Sequence, residues 1–591
     1  MRILALVSLS LSCLFPCLSA AEKPNIILIF TDDHGWPDIG AVGIYDDLKT
    51  PHIDQLAADG ARCTSGYVTA PQCVPSRGGL LAGRDQSRFG LETNGSSLDG
   101  FNAEQIIAER LKNAGYATGQ IGKWHLGPVQ EISNHGFDDV FAKNSNRPGF
   151  ANYGIDGSDQ APGKEDTKMY HLDACSAAAT AFIDRHAEES FFLYLAYRAP
   201  HVPLDAPEKY LKQFPGDMPE RRRQALAMIS AMDDGVGAIR EKLESKGLTE
   251  KTLIFFIGDN GAPLKIHKLD SPGGGPGWDG SLNEPMNGEK GMLSEGGIRV
   301  PFIAAWPGKI PGGQVYDKPV ISLDVAATAA ALSGLGEVKG LDGVNLVPFL
   351  STEKEGSPHE QLFWRWSGQS AIREGDWKLL RGGNREYLYD LKADAEEQKN
   401  LLSENPEIAK RLRDKLQNWT GELDPPGFIG DKMSTVWEQY FDFYLDGKPV
   451  SQPNRKKEEA TVQGWLIRNG QLKQRERALH LVDSNGKQRF APFIANSRFA
   501  AKGPFSIVVD PVKIPKGAVS VQWRESGQKD FLDNQSAALA VDGEELRGIV
   551  PTKAEVIHLR VRFADATNVA LRSIRLETED GKILQDWNFV E

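Results

Sequence analysis

Three short apolar runs, each closing on polar residues, constrain this chain more than any other feature. Ile26-Ile27-Leu28-Ile29-Phe30 ends in Thr31-Asp32-Asp33, residues 191–196 end near Pro200-His201, and residues 253–257 end in Gly258-Asp259-Asn260-Gly261. Each run has the length and unbroken apolarity of a strand buried on both faces. Helical patterns lie between them, over residues 103–114, 172–188 and 221–246. Strands alternating with helices predict an α/β domain whose central, mostly parallel sheet is covered by helices on both faces. Ligands bind at the carboxyl ends of strands in such sheets, so the acids and His201 mark that edge as the place for a site.

The 591 residues are too many for one simple domain. Residues 21–361 are predicted to form the α/β domain. From residue 362 the pattern changes to short strands (FWRWS, SAIREGDWKLL, REYLYDL) and a helix over residues 405–419. That predicts a small antiparallel C-terminal subdomain over residues 362–424. Residues 425–460 read as a mixed connector, with Pro425-Pro426-Gly427 and a charged run over 455–459. Residues 461–591 carry many short alternating runs separated by turn residues, which predicts an additional all-β C-terminal domain, a sandwich.

At the other end, one basic residue, an apolar run and Leu18-Ser19-Ala20 predict a signal peptide over residues 1–20 and a periplasmic or secreted protein. No other run is long and apolar enough to span a bilayer. The net charge of -12 argues against a nucleic-acid or anionic-membrane partner. Cys63, Cys73 and Cys175 remain beyond the signal peptide. Cys63 and Cys175 are compatible either with a disulfide in an oxidising compartment or with two buried thiols.

Two motifs sharpen the picture. Residues 50–84, TPHIDQLAADGARCTSGYVTAPQCVPSRGGLLAGR, contain Cys73-Val74-Pro75-Ser76-Arg77, and Gly122-Lys123-Trp124-His125-Leu126-Gly127 follows. Both resemble signatures of type I sulfatases of the alkaline phosphatase superfamily, and the resemblance spans roughly residues 24–418. It implies an alkaline-phosphatase-like fold and a formylglycine made from Cys73 by a maturation enzyme. The hydrate of that aldehyde is then the nucleophile. The resemblance also implies a divalent cation, Ca²⁺ in preference to Mg²⁺, held by Asp32, Asp33, Asp259 and Asn260 with position 73. Arg77 would orient the hydrate and Lys123 would bind sulfate. His125 would be the base of the second step. His201 and Lys290 would bind sulfate and protonate the leaving oxygen. Asp138 and Arg299 look architectural.

The residue types suit these roles. Oxygen ligands without thiolate or a histidine set favour a hard cation. Pro75 belongs in a first helical turn, and a helix N-terminus favours an anion. A guanidinium at Arg77 makes charge-assisted hydrogen bonds. In an extended segment Lys123 and His125 point to one side, with Trp124 turned to the core. Gly78-Gly79 stand where Ala is frequent in the family, which is expected to loosen the helix start.

An exported enzyme with an appended β-domain suits a sulfated carbohydrate, a polysaccharide or its oligosaccharides. Trp278, Asp279, His171, Arg147, Trp364 and Arg365 are the candidate subsite residues, by aromatic stacking and charge. Two rival readings remain at this stage. One is a phosphodiesterase or phosphonate hydrolase of the same superfamily, which the Asp and Asn ligand set disfavours. The other is a carbohydrate-binding protein with an inactive sulfatase domain, which the full complement of catalytic residues disfavours. Oligomeric state has no signature in the sequence.

Overall fold

The computed structural model describes residues 23–266, 280–430, 433–449 and 462–590, except 469, 476, 484–492, 498, 527, 529–530, 533 and 565–568 within the last span. The expected signal peptide, Trp278 and Asp279 lie outside the described residues. The chain divides into two compact units, one up to Ser451 and one from Gln452.

The first unit is built on a ten-stranded sheet. Its central strands are β1 (Asn25–Asp32), β2 (Ala117–Gly122), β3 (Phe191–Pro200), β4 (Thr252–Gly258) and β5 (Phe302–Ala305). The spatial order runs Gln314–Tyr316, Ala61–Cys63, β5, β4, β1, β3, β2, Asp139–Ala142, Gly149–Tyr153 and Asp159–Glu165. Strands β4, β1, β3, β2 and Asp139–Ala142 are mutually parallel. Antiparallel pairing enters at β5 and at Gly149–Tyr153. The sheet is therefore parallel where the three apolar runs sit and mixed toward its edges.

Alternation along β1 explains why its run is unbroken. Ile26, Leu28 and Phe30 pack into one apolar layer, and Ile27 and Ile29 into the other. All are inaccessible to solvent, and each such side chain stabilises the fold by about 1.5–3 kcal/mol. One layer includes α1 (Cys73–Ala82). The other includes α2 (His171–Arg185) and α3 (Glu220–Ser245), which pack together. The alanines of α2 favour helix and allow close approach. Cys63 lies in the first layer and Cys175 in the second, both as free buried thiols, so they do not form a disulfide.

The subdomain is a four-stranded antiparallel meander, β6 (Gln361–Trp366), β7 (Gln369–Glu374), β8 (Trp377–Gly382) and β9 (Arg385–Asp390). Ile372, Leu379 and Leu388 on one face meet Ala409, Leu412 and Leu416 of α4 (Pro406–Thr420). Trp364, Trp366, Ala371 and Leu380 on the other join the core of the α/β domain. The expected connector is more than a linker. It carries α5 (Thr435–Tyr444), whose Tyr440 and Phe441 are buried in that same core.

Among the described residues of the second unit, twelve strands pair antiparallel throughout. Strand Ser536–Asp542 pairs with Val519–Glu525 on one side and Glu545–Val550 on the other. Trp465, Val521 and Leu559, from strand Glu555–Phe563 and those paired with it or its neighbours, and Ile507, Leu571 and Trp587, from strand Val569–Glu577 and those paired with it, fill one apolar cluster, as a sandwich requires.

Candidate active site

Four neighbouring parallel strands deliver polar side chains to one edge of the sheet. In spatial order, β4 leads to Asp259 and Asn260, β1 ends at Asp32 and Asp33, β3 leads to His201, and β2 leads to Lys123 and His125. The N-terminus of α1 brings Cys73 to the same edge, and a loop brings Lys290. All the expected site residues except His125 are connected here by short contacts.

Cys73 is the first residue of α1, and its Sγ lies 3.5 Å from Asp32 Oδ1 and 4.0 Å from Asp33 Oδ1. Lys290 Nζ donates to Asp33 Oδ1 at 2.6 Å and approaches Cys73 Sγ at 3.3 Å. Lys123 Nζ donates to Asp32 Oδ2 at 2.6 Å. Arg77, one turn into α1, donates from Nη2 to Asp259 Oδ2 at 2.8 Å and from Nη1 to the Tyr194 hydroxyl at 3.1 Å. His201 Nε2 lies 3.5 Å from Asp33 Oδ2. Asn260 Nδ2 donates to Asp33 Oδ1 at 2.7 Å, and the Asp33 N–H donates to Asp259 Oδ1 at 3.0 Å. Asp32, Asp33, Arg77, Asp259 and Asn260 are wholly buried.

The backbone is bent to make this possible. Asp33 and His125 have φ of 59° and 65°, in the left-handed region that residues with a side chain adopt uncommonly. His125 therefore departs from the extended geometry expected of its segment, and the residue reaches solvent at the rim of the site. Trp124 is buried as expected, against Phe101 and Phe137. Gly122 has φ 87°, and a Cβ there would lie 2.1 Å from the carbonyl oxygen of Ala196. Only glycine permits that approach, which lets the Lys123 N–H bond the same carbonyl at 2.8 Å.

Charge is divided unevenly. Burial works against the Asp32 and Asp33 carboxylates, but nearby cations outweigh it. Lys123 and then His201 and Arg77 hold Asp32 well below the usual range, and Lys290 with His201 brings Asp33 to about 2. Burial and the Asp32 carboxylate push Asp259 up to about 7. Burial and the Asp259 carboxylate push the Cys73 thiol up to about 12. Burial, aided by Lys290 and Lys123 and opposed by Asp32 and Asp33, lowers His201 to about 4. The packing round His125, then Lys123 and Arg77, keep its imidazole below the ordinary histidine range.

Oxygen atoms remain for a cation. Asp33 Oδ2 and Asn260 Oδ1 are buried without a hydrogen-bond partner among the described residues. Ligand atoms of Asp32, Asp33, Cys73 and His201 lie within 4.8 Å of one another. Orphaned buried oxygens are costly unless something positive meets them, so the donor set fits a hard divalent ion.

A family model for sulfatases matches residues 24–335, and one for the C-terminal part of N-sulphoglucosamine sulphohydrolase matches residues 288–422. The chain belongs to the sulfatase family. N-acetylgalactosamine-6-sulfatase of Mus musculus is 33% identical over 397 residues, 61% of this chain and 72% of that protein. An Escherichia coli K12 protein described as the uncharacterized sulfatase YdeN is 28% identical over 509 residues, 69% of this chain and 87% of that protein. The crystal structure of Ps i-CgsB in complex with k-i-k-neocarrahexaose is 30% identical, with a TM-score of 0.60 over 74% of this chain and 100% of that one. The sulfatase is thus a sulfuric ester hydrolase.

Several candidate subsite residues of the sulfatase prove structural. Trp364 is buried against Tyr67 and donates to the Val68 carbonyl at 2.8 Å. Arg365 is buried on Glu92 and on the carbonyls of Asp424, Pro425 and Gly427. His171 is buried between Arg198 and Asp205. Arg147 is exposed. Asp138 is held by Thr118 and Lys112, and Arg299 by the Thr64 carbonyl and Glu295, both architectural as expected. Gly78 and Gly79 are close-packing positions: a Cβ on them would lie 2.4 Å from Leu91 Cδ2 and 2.7 Å from Thr69 Oγ1.

Two supporting residues escape sequence reasoning. Tyr194 anchors Arg77 from the middle of an apolar strand, and Asn94 Oδ1 accepts from the Val74 N–H at 3.0 Å beside Cys73. Neither has a local signal, because each partner is distant in sequence.

Proposed function

We propose that the sulfatase is exported and removes sulfate from a sulfated carbohydrate, a polysaccharide or its oligosaccharides, using formylglycine made from Cys73 and a divalent cation. Ca²⁺ is preferred to Mg²⁺. The observation that carries this reading is the convergence of the cations Lys290, Lys123 and Arg77, with the His201 ring beside them, on the two carboxylates beside Cys73. A sulfate ester is an anion, and preorganised cations in a buried site stabilise the charge that moves through it.

A buried thiol with its acidity pushed to about 12 is a poor nucleophile at neutral pH. The sulfur atom stands in the place of an oxygen of the hydrated aldehyde, which supplies the nucleophile once a maturation enzyme has oxidised Cys73. Asp32, Asp33 and Asn260, with Asp259, would hold the cation, which supplies Lewis-acid polarisation of a sulfate oxygen.

The other residues act by position. Arg77, fixed between Tyr194 and Asp259, orients position 73. Lys123 and Lys290 hold sulfate oxygens. His201 Nδ1 lies 2.6 Å from the Val202 carbonyl, which can only accept, so that nitrogen carries the proton and Nε2 of the neutral ring is an acceptor. Lys290 is then the group that donates to the departing oxygen. Neutral His125, at the solvent side, takes the proton that must leave position 73 when sulfate departs.

The carbohydrate reading draws on the names of relatives: an N-acetylgalactosamine-6-sulfatase, and a structure titled as a complex with a neocarrahexaose. Export draws on the pattern of residues 1–20. The test is sulfate release from a panel of defined sulfated sugars, with the mass of the peptide containing residue 73 measured on the same protein. An aldehyde at position 73 and release from a sugar sulfate are expected. Activity is also expected to vanish in Cys73→Ala, and to vanish on chelation and return with Ca²⁺. Substantial turnover by Cys73→Ala would sink the formylglycine scheme.

A further inference from the structure

We propose that Gln369 and Tyr444 are positioning residues for Lys290, holding the loop that carries it against the Cys73 segment. Residues 280–294 contain no helix or strand, yet Lys290 delivers an ammonium to within 3.3 Å of Cys73 Sγ. Its backbone is tied at several points. The Lys290 N–H bonds the Ala262 carbonyl at 3.1 Å, and the Gly291 N–H bonds the Pro71 carbonyl at 2.9 Å. Ala262 follows the Asp259-Asn260 segment and Pro71 precedes Cys73 by two residues. The loop therefore spans the proposed cation ligands and the nucleophile.

Further ties reach it from outside the α/β domain. Gln369, at the start of β7 and almost wholly buried, donates from Nε2 to the Gly291 carbonyl at 2.8 Å and accepts from the Leu293 N–H at 3.0 Å. It thus brackets Lys290 on the C-terminal side. Glu289 precedes Lys290 and is wholly buried. It accepts from the backbone N–H groups of Ile266 and Leu264, and from the Tyr444 hydroxyl at 3.1 Å. Asn287 donates to the Tyr444 carbonyl at 2.8 Å. Trp437, on the same helix as Tyr444, presses on the loop so closely that a Cβ at Gly291 would lie 2.7 Å from its ring. This helix, α5, lies beyond residue 422, where the family match ends.

A lysine reaches its target through four rotatable bonds, so its Nζ is only as well placed as its backbone, and a misplacement of about 1 Å can cost about a hundredfold in rate. The consequence depends on the leaving group. A departing sugar alkoxide needs the proton that Lys290 offers, whereas a nitrophenolate is stable without it. This part rests on the role given to Lys290 under the proposed function.

The experiment compares Gln369→Ala and Tyr444→Phe with the unaltered enzyme on a sugar sulfate and on 4-nitrophenyl sulfate. Both variants are expected to lose about tenfold in kcat/KM on the sugar ester and less than about twofold on the nitrophenyl ester. An equal loss on both substrates, or none on either, overturns the positioning role. Tyr444→Phe removes only one hydroxyl, so it carries the test if the buried Gln369→Ala fails to fold. Hydrogen exchange over residues 287–293 of the same proteins judges the anchoring without any turnover. Faster exchange in the variants is expected, and unchanged exchange overturns it. If the unaltered enzyme hydrolyses neither ester, the proposed function fails, and the exchange result still decides the anchoring.

Discussion

Single histidines show how neighbours set charge in this molecule. His201 lies beside two carboxylates and is nonetheless lowered, because burial comes first and Lys290 and Lys123 stand close by. His359 meets one carboxylate, Asp324, at 2.8 and 3.0 Å. Burial again disfavours the charged ring, but among the described residues no cation offsets Asp324 there, and His359 is raised above the ordinary value. The sign for stability follows. A histidine raised on folding contributes fully below its unfolded value of about 6.5, and that contribution is lost as pH rises through the folded value. His359→Gln should therefore lower the melting temperature at about pH 5 and have a shrinking effect toward about pH 9. A difference that stays constant over that range would show that the pair does not titrate as described. At this scale the residues that meet at the strand ends were legible as site candidates and their supports were not. Cys73, Lys123, His125 and the acids sit in recognisable local patterns. Tyr194 sits in an apolar strand where it reads as core, and its bond to Arg77 crosses 117 residues of sequence.

Elements carry the next layer. The short helix Glu295–Ile298 follows the Lys290 loop, and its Glu295 meets Lys378 of β8 at 2.8 Å. Lys378 also meets Glu397 at 2.9 Å, and all three side chains are inaccessible to solvent. Burial opposes the Glu295 charge, but Lys378 and then Arg299 hold it at about 2. Burial and Glu295 raise Glu397 to about 7. One buried cation thus joins the subdomain to the short helix that follows the Lys290 loop. Lys378→Met keeps the volume and strands the carboxylates, which should cost about 3–5 kcal/mol. Denaturant unfolding of the catalytic unit checks this, and a loss well under about 1 kcal/mol would mean that solvent or protonation repairs the site. The three buried strands and the helices over residues 171–185, 220–245 and 406–420 follow from apolar periodicity, whereas the helix expected over residues 103–114 is confined to Ile107–Asn113. Helix α5 also had its signal, in Trp437, Tyr440, Phe441 and Tyr444 at helical spacing. Pro425-Pro426-Gly427 and the charged run beyond it drew the whole stretch into a linker reading. The buried face of α5 became visible only once the core it covers was in place.

For the whole molecule, the question is whether the second unit takes part in the chemistry. Every residue so far linked to the site, from Asp32 to Tyr444, lies in the first unit. Among the described residues, each apolar cluster also lies within one unit: three clusters draw on residues up to Leu445, and the fourth begins at Val462. A cluster that closes on itself is what independent folding requires. A chain ending at Ser451 should therefore hydrolyse 4-nitrophenyl sulfate with kcat/KM within about twofold of the full protein. The separate piece from residue 462 should melt in one cooperative step, because its strands share a single core from Trp465 to Phe589. If truncation instead costs more than about tenfold on this small ester, the second unit completes or braces the catalytic site. If the small ester is unaffected and only a sulfated polysaccharide is turned over more slowly, the second unit acts on the polymer rather than on the sulfur.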